Sequence, residues 1–300
     1  MGAIGATAAI WLLWQIVSPT ALLVRYAAFG NVTAVQRLLG LGADPNAYYG
    51  RSSAFLMAAR EGHVPIMTLL LKQRADPMRC EKEGSAPRLS ALSLAAAFGR
   101  VEAIEYLVHI GVPVEYQCGA GWPTALEMAA QQGRRTAAAK LIALRADPGR
   151  LGTGNHTYVM HAAWSANHSR HSLEIASTIE LLIDSGSDVN SRLPDGRTAL
   201  MMTRVPPVVA TLLRKGADPN FTDCKGETAL MKVIEDAVWK HQNPSSSTTY
   251  QTEALRLLLN AGADPNRRSL TGDTPLRLAS RSGPYRAKIE STLRAFGARE

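Results

Sequence analysis

The chain has 300 residues, 46% of them hydrophobic and 19% charged, with a formal net charge of +8. The apolar share excludes disorder by composition, and an aromatic content of only 6% argues against a sandwich or barrel core. The positive charge does not form a basic arm: no run of five like charges occurs, and the excess gathers in the last stretch, in Arg267, Arg268, Arg277, Arg281, Arg286, Lys288, Arg294 and Arg299.

From Met1 to Val24 there is no charged residue. Met1–Val17, with Ile10, Trp11, Leu12, Leu13, Trp14, Ile16 and Val17, is apolar enough to require cover. Three covers are open: packing as a cap on the first repeat, a membrane, or an upstream domain or partner. The cap is favoured. Ser18-Pro19 ends the stretch at the lower limit for a membrane span, and no Lys or Arg precedes it, as a span or a signal peptide would want. Ala6 stands where myristoylation needs Ser or Thr.

Downstream, one short sequence recurs. It reads Gly42-Ala43-Asp44-Pro45-Asn46, Gly216-Ala217-Asp218-Pro219-Asn220 and Gly262-Ala263-Asp264-Pro265-Asn266. Looser copies begin at Arg74, Gly111, Arg145, Gly186 and Gly297. Four residues before each copy stands a leucine: Leu38, Leu70, Leu107, Leu141, Leu182, Leu212, Leu258 and Leu293. Such leucines, with apolar neighbours at helical spacing, predict the buried stripe of a helix. The Gly that follows ends that helix in a left-handed turn, and Asp-Pro forbids its continuation. Arg74 and Arg145 take the Gly place and are expected to carry strain on the order of 1 kcal/mol each.

A second signature opens another helix: Ser53-Ala54-Phe55, Thr124-Ala125-Leu126, Thr198-Ala199-Leu200, Thr228-Ala229-Leu230 and Thr274-Pro275-Leu276. The hydroxyl caps the first turn, and Pro is tolerated just inside it. Small pairs such as Ala58-Ala59, Ala95-Ala96, Ala129-Ala130 and Ala162-Ala163 allow close helix approach, and Gly62-His63, Gly99-Arg100 or Gly133-Arg134 turn the chain. The unit is turn, short helix, turn, longer helix. No convincing strand is expected.

This pattern resembles the ankyrin repeat. The resemblance implies an all-α solenoid of stacked helix-turn-helix units with β-turn fingers. After an apolar segment at 1–18, the array would occupy 19–300, in units of about 19–50, 51–88, 89–121, 122–154, 155–195, 196–225, 226–271 and 272–300. The family's His after Thr-Pro-Leu is missing: Leu56, Ser93, Glu127, Met160, Met201, Met231 and Arg277 stand there, which should weaken the polar tie between neighbouring hairpins. The sixth unit is truncated at Thr203-Arg204-Val205-Pro206-Pro207. Insertions around Ser165–Ser172 and Asn243–Thr249 read as surface loops.

Chemistry is sparse. His156, His161, His168 and His171 lie within sixteen residues, but no Cys is near and only Glu174 adds a carboxylate, so a polar loop is favoured over a metal site. No phosphate loop, nucleophile elbow or zinc-protease helix appears, so neither a catalytic residue nor a cofactor is assigned. Cys80, Cys118 and Cys224 are an odd, dispersed set, read as no disulfide framework and as favouring a reducing, cytoplasmic or nuclear setting. Asn31-Val32-Thr33, Asn155-His156-Thr157 and Asn167-His168-Ser169 fit the glycosylation pattern but read as chance.

The resemblance implies binding of a protein partner through the concave face and the finger tips. Those tips carry Tyr48, Tyr49 and Arg51; Arg79, Lys82 and Arg88; Tyr116 and Trp122; Arg192; Phe221 and Lys225; and Arg267 and Arg268. Aromatic and Arg side chains are those that binding hot spots favour. A non-catalytic adaptor is therefore expected, with an unrecognised enzyme or pathway accessory as the alternative. Nucleic acid is not favoured as a partner, nor is membrane contact through residues 1–17.

Overall fold

A computed structural model describes residues 18–82, 88–241 and 249–299, with the side chains of 238–241 and 249–250 left aside. The apolar segment 1–17 and most of the second insertion lie outside the described residues.

The helices come in pairs, short first and usually longer second. They are α1 (Pro19–Ala28) with α2 (Val32–Gly40), α3 (Ala54–Glu61) with α4 (Val64–Lys72), α5 (Ala91–Ala97) with α6 (Val101–His109), and α7 (Ala125–Gln131) with α8 (Arg135–Ala143). Then follow α9 (Tyr158–Ala166) with α10 (Ser172–Asp184), and a 3-10 turn (Ala199–Met202) with α11 (Pro206–Arg214). Last are α12 (Ala229–His241) with α13 (Thr249–Asn260), and α14 (Pro275–Ala279) with α15 (Arg286–Ala295). One strand pair occurs, β1 (Tyr48–Tyr49) against β2 (Ser52–Ser53), in the first finger.

Six of the first helices start where a hydroxyl satisfies an orphan amide. Ser53 accepts from Leu56 N, Ser90 from Ser93 N, Thr124 from Glu127 N, Thr157 from Met160 N, Thr228 from Met231 N and Thr274 from Arg277 N. Thr198 makes no such bond and heads only the 3-10 turn. The eight register leucines are all buried, and seven of them are fully so. Ala58, Ala59, Ala95, Ala96, Ala129, Ala130, Ala162 and Ala163 are also fully buried, as close helix approach requires.

The described chain divides into two compact units. One runs to Ala129 and takes in Thr136–Ala146; the other comprises Ala130–Arg135 and Asp147–Glu300. In the first unit α1 packs on α3 and α3 on α5, while α2 meets α4 and α4 meets α6. In the second, α10 packs on α11 and α11 on α13, while α12 packs on α14 and α13 on α15. First helices therefore stack on first helices and second on second within a unit.

The truncated sixth unit is braced by the one before it. Asn167, which ends α9, donates its amide to Met202 O (2.7 Å) and accepts from Arg204 N (3.0 Å). This side chain supplies the hydrogen bonds that a full inter-helix turn would otherwise make internally.

Candidate partner surface

The fingers are joined by asparagine side chains. In the first unit Asn46 donates to Arg74 O (2.9 Å) and accepts from Asp76 N (2.9 Å). In the second, Asn190 spans to Gly216 O and Asp218 N, Asn220 to Gly262 O and Asp264 N, and Asn266 to Gly297 O and Arg299 N, all at 2.7–3.0 Å. Each Asp of the motif also caps the amide two residues on, as Asp44 does for Asn46. The Asp-Pro-Asn sequence is thus a bracket: Asp closes its own turn, Asn reaches the next.

Backbone bonds add to this. Lys82 N donates to Arg51 O, Cys224 N to Asp195 O and Leu270 N to Lys225 O. The approach is close enough that a Cβ on Gly196 would stand 3.0 Å from Asp223 Cα, and one on Gly226 would stand 3.0 Å from Leu270 N. Both glycines also have positive φ, so neither tolerates a side chain.

Met78 replaces the bracket's Asn in the second finger, and other groups take over. Tyr116 donates its hydroxyl to Met78 O (2.7 Å), and Tyr48 donates to Cys80 O (2.6 Å). Cys80 is joined to Cys118 in a disulfide with Cα atoms 5.8 Å apart. This corrects the reading of the cysteines as unpaired. Residues thirty-eight apart in sequence meet because they occupy successive fingers, and only Cys224, which is exposed, stays free. The expected weakening of ties between hairpins is likewise offset at one position, where Ser93 takes the place of the family's His and donates to Pro123 O (3.3 Å).

The finger-tip residues fall into two groups. Tyr48 is a hub: the Arg79 guanidinium lies 4.8 Å and the Lys82 ammonium 5.0 Å from its ring centre. Arg79 also donates to Asn46 O (2.5 Å), Arg88 to Glu81 O (2.9 Å), and Arg51 lies 3.7 Å from Glu81. Tyr116, through its hydroxyl, belongs with these. Arg192 donates to Thr222 O (2.7 Å) and covers the Phe221 ring at 5.3 Å. By contrast Tyr49 is 54% exposed, and Lys225, Arg267 and Arg268 are exposed. Trp122 is half-buried, and its carbonyl is held by the Gln117 side chain (2.6 Å). Leu270, 80% exposed on the finger after α13, was missed because an isolated leucine in a turn carries no periodic signal.

Asp223 anchors the seventh pair. Burial alone would push its carboxyl up, but the Glu227 amide, the Lys232 ammonium (3.1 Å) and the Lys225 amide together hold it below the usual carboxylate range. Burial disfavours the charge on Lys232, yet Glu227 and Asp223 beside it raise its affinity for the proton above the ordinary lysine value.

The histidines do not converge on one point. His156 stacks on His161 at 4.9 Å, His168 meets the Trp164 edge at 5.3 Å, and His171 lies 3.5 Å from Glu174. Among the described residues no group of three or more His, Cys, Asp or Glu side chains is placed to hold a metal ion. Likewise, no described helix is long and apolar enough to cross a membrane.

Paired helices, brackets and fingers define a helical repeat protein of one class. The family model described as ankyrin repeats in three copies matches residues 23–118 and, in a second overlapping placement, 55–152. The crystal structure of the human ASB11 ankyrin repeat domain superposes with a TM-score of 0.52 at 18% identity, covering 93% of this chain and 98% of that one. Residues 23–152 are ankyrin repeats, and the chain has the all-α ankyrin-repeat fold.

Proposed function

We propose that this protein is a non-catalytic scaffold that binds a protein partner through its finger tips and the exposed faces of its first helices. Ankyrin repeats generally mediate protein–protein interaction. The observation that carries the reading is the tip inventory. Tyr49, Trp122 and Arg267–Arg268 offer aromatic and guanidinium surface on loops already tied to their neighbours. Such loops lose little freedom on binding, so contact area converts to affinity with a smaller ordering cost.

The second reading, an enzyme or an accessory to one, has no residue constellation in its favour. The setting also shifts: a disulfide between Cys80 and Cys118 favours an oxidising environment over the cytoplasmic or nuclear one that the cysteine count suggested. Affinity capture from the native host, followed by reconstitution with the purified partner, tests the proposal. A stoichiometric complex without turnover of either component supports it. Substrate conversion by the isolated chain would replace it with the enzyme reading.

A further inference from the structure

Three Asn-x-Ser/Thr triplets stand in the described chain, at Asn31, Asn155 and Asn167. Their reading as chance matches depends on a reducing setting, and the Cys80–Cys118 disulfide removes that premise. In a secreted chain such triplets accept an N-linked glycan, a bulky polar group that belongs on the surface. A folded site must therefore offer an exposed asparagine whose Nδ2 is not engaged elsewhere.

The three sites differ at that atom. Asn167 is half-buried, and its Nδ2 donates to Trp164 O (3.1 Å) and Met202 O (2.7 Å), which engages both amide hydrogens. A sugar there would break the brace of the truncated sixth unit. Asn31 is exposed, and its Oδ1 accepts from Ala34 N (2.9 Å) as the cap of α2. That oxygen survives attachment of a sugar to Nδ2. Asn155 is exposed in a closed turn, where Gly152 N donates to His156 O (2.8 Å) and Leu151 pairs with Thr157. Its φ of 62° lies in the left-handed region, which Asn tolerates better than most residues. The Asn155 side chain makes no hydrogen bond among the described residues. None of the tip residues assigned to a partner lies in that turn.

We infer that Asn31 and Asn155 carry N-linked glycans and that Asn167 does not. The donor is an oligosaccharide on a lipid pyrophosphate. The bond from sugar C1 to the pyrophosphate oxygen breaks, a bond from Nδ2 to C1 forms, and one amide proton leaves with the lipid pyrophosphate. Thr157 is buried and its hydroxyl caps α9, so transfer at Asn155 precedes formation of that helix. A chain modified at Asn167 before folding could not make the brace, so the folded population is the one in which it stays bare. The inference rests on the oxidising setting and is independent of whether the chain holds a protein.

The test is peptide mass spectrometry of the full chain purified from its native host, after enzymatic removal of N-glycans in heavy-oxygen water and with the free thiols counted in parallel. Asn31 and Asn155 are read as Asp carrying heavy oxygen, and Asn167 is read as unmodified Asn. Asn31→Asp and Asn155→Asp each remove one step of gel mobility that the deglycosylating enzyme otherwise removes. Asp keeps the cap at the first position and tolerates the left-handed turn at the second, so both variants fold. An unmodified Asn31 or Asn155 in a chain whose Cys80–Cys118 bond is intact overturns the assignment, and so does a glycan on Asn167. A bare chain with three free thiols overturns the oxidising setting and the inference with it.

Discussion

At Arg74 and Arg145 the chain accepts φ of 63° and 75°, a region that L residues enter at some cost, in the place where Gly42, Gly216 and Gly262 sit with φ near 87°. The expectation of left-handed turns there holds, because the turn is imposed by the leucine register on one side and Asp-Pro on the other. Both side chains are exposed. Arg74→Gly should raise stability by up to about 1 kcal/mol, read as a higher urea midpoint at unchanged slope. Asp223 gives a pH prediction. Its carboxyl is depressed in the fold, so its contribution is present above the unfolded value and is lost as pH falls through the folded one. Melting should therefore drop for the wild type below about pH 4, and Asp223→Asn should be destabilised at neutral pH while losing part of that acid dependence. Glu227, Glu235, Lys232 and Asp195 share the neighbourhood, and Glu235 titrates the other way, since burial raises its carboxyl. The comparison is therefore made between variant and wild type at each pH. The asparagine bracket and the disulfide were not legible in the sequence. Both join residues about thirty to forty positions apart whose meeting depends on the spacing of successive fingers, which periodicity within one helix does not encode.

Among the elements, the paired helices were legible because their buried stripe, hydroxyl cap and terminal Gly agree with one another at each recurrence. Leu107→Ala or Leu182→Ala removes a fully buried side chain and should cost about 2–5 kcal/mol, measured by chemical denaturation. A loss under about 1 kcal/mol at both sites would contradict the packing described. The sixth pair departs from expectation: the signature Thr198-Ala199-Leu200 reads as a capped helix, but the structure has a 3-10 turn of four residues. Pro206 and Pro207 explain it. They start α11 so soon that no room remains for a first helix, and Asn167 supplies the missing turn contacts. Asn167→Ala should cost roughly 1–3 kcal/mol by leaving the Met202 carbonyl and Arg204 amide without that partner. Amide exchange at Arg204 should accelerate in step.

For the whole molecule, each unit has its own means of fastening fingers. The second repeats the asparagine bracket, while the first uses it once and then the Tyr116 hydroxyl and the Cys80–Cys118 disulfide. Thiol labelling under denaturing conditions should find one reactive cysteine per chain without reductant and three with it. Cys80→Ser with Cys118→Ser should destabilise the first unit by about 2–4 kcal/mol. The partner surface was legible only as residue types. The sequence placed aromatic and Arg side chains on the tips, but could not separate those that brace the fingers, such as Tyr48, Arg79 and Tyr116, from those left facing outward, such as Tyr49 and Arg267. That division is what the central claim depends on. It is tested most directly by calorimetric titration of the reconstituted partner with wild-type protein and with a Tyr49→Ala, Trp122→Ala, Arg267→Ala variant. The account predicts at least about a ten-fold loss of affinity, with helical circular dichroism and melting nearly unchanged. Undiminished affinity in a folded variant would contradict it.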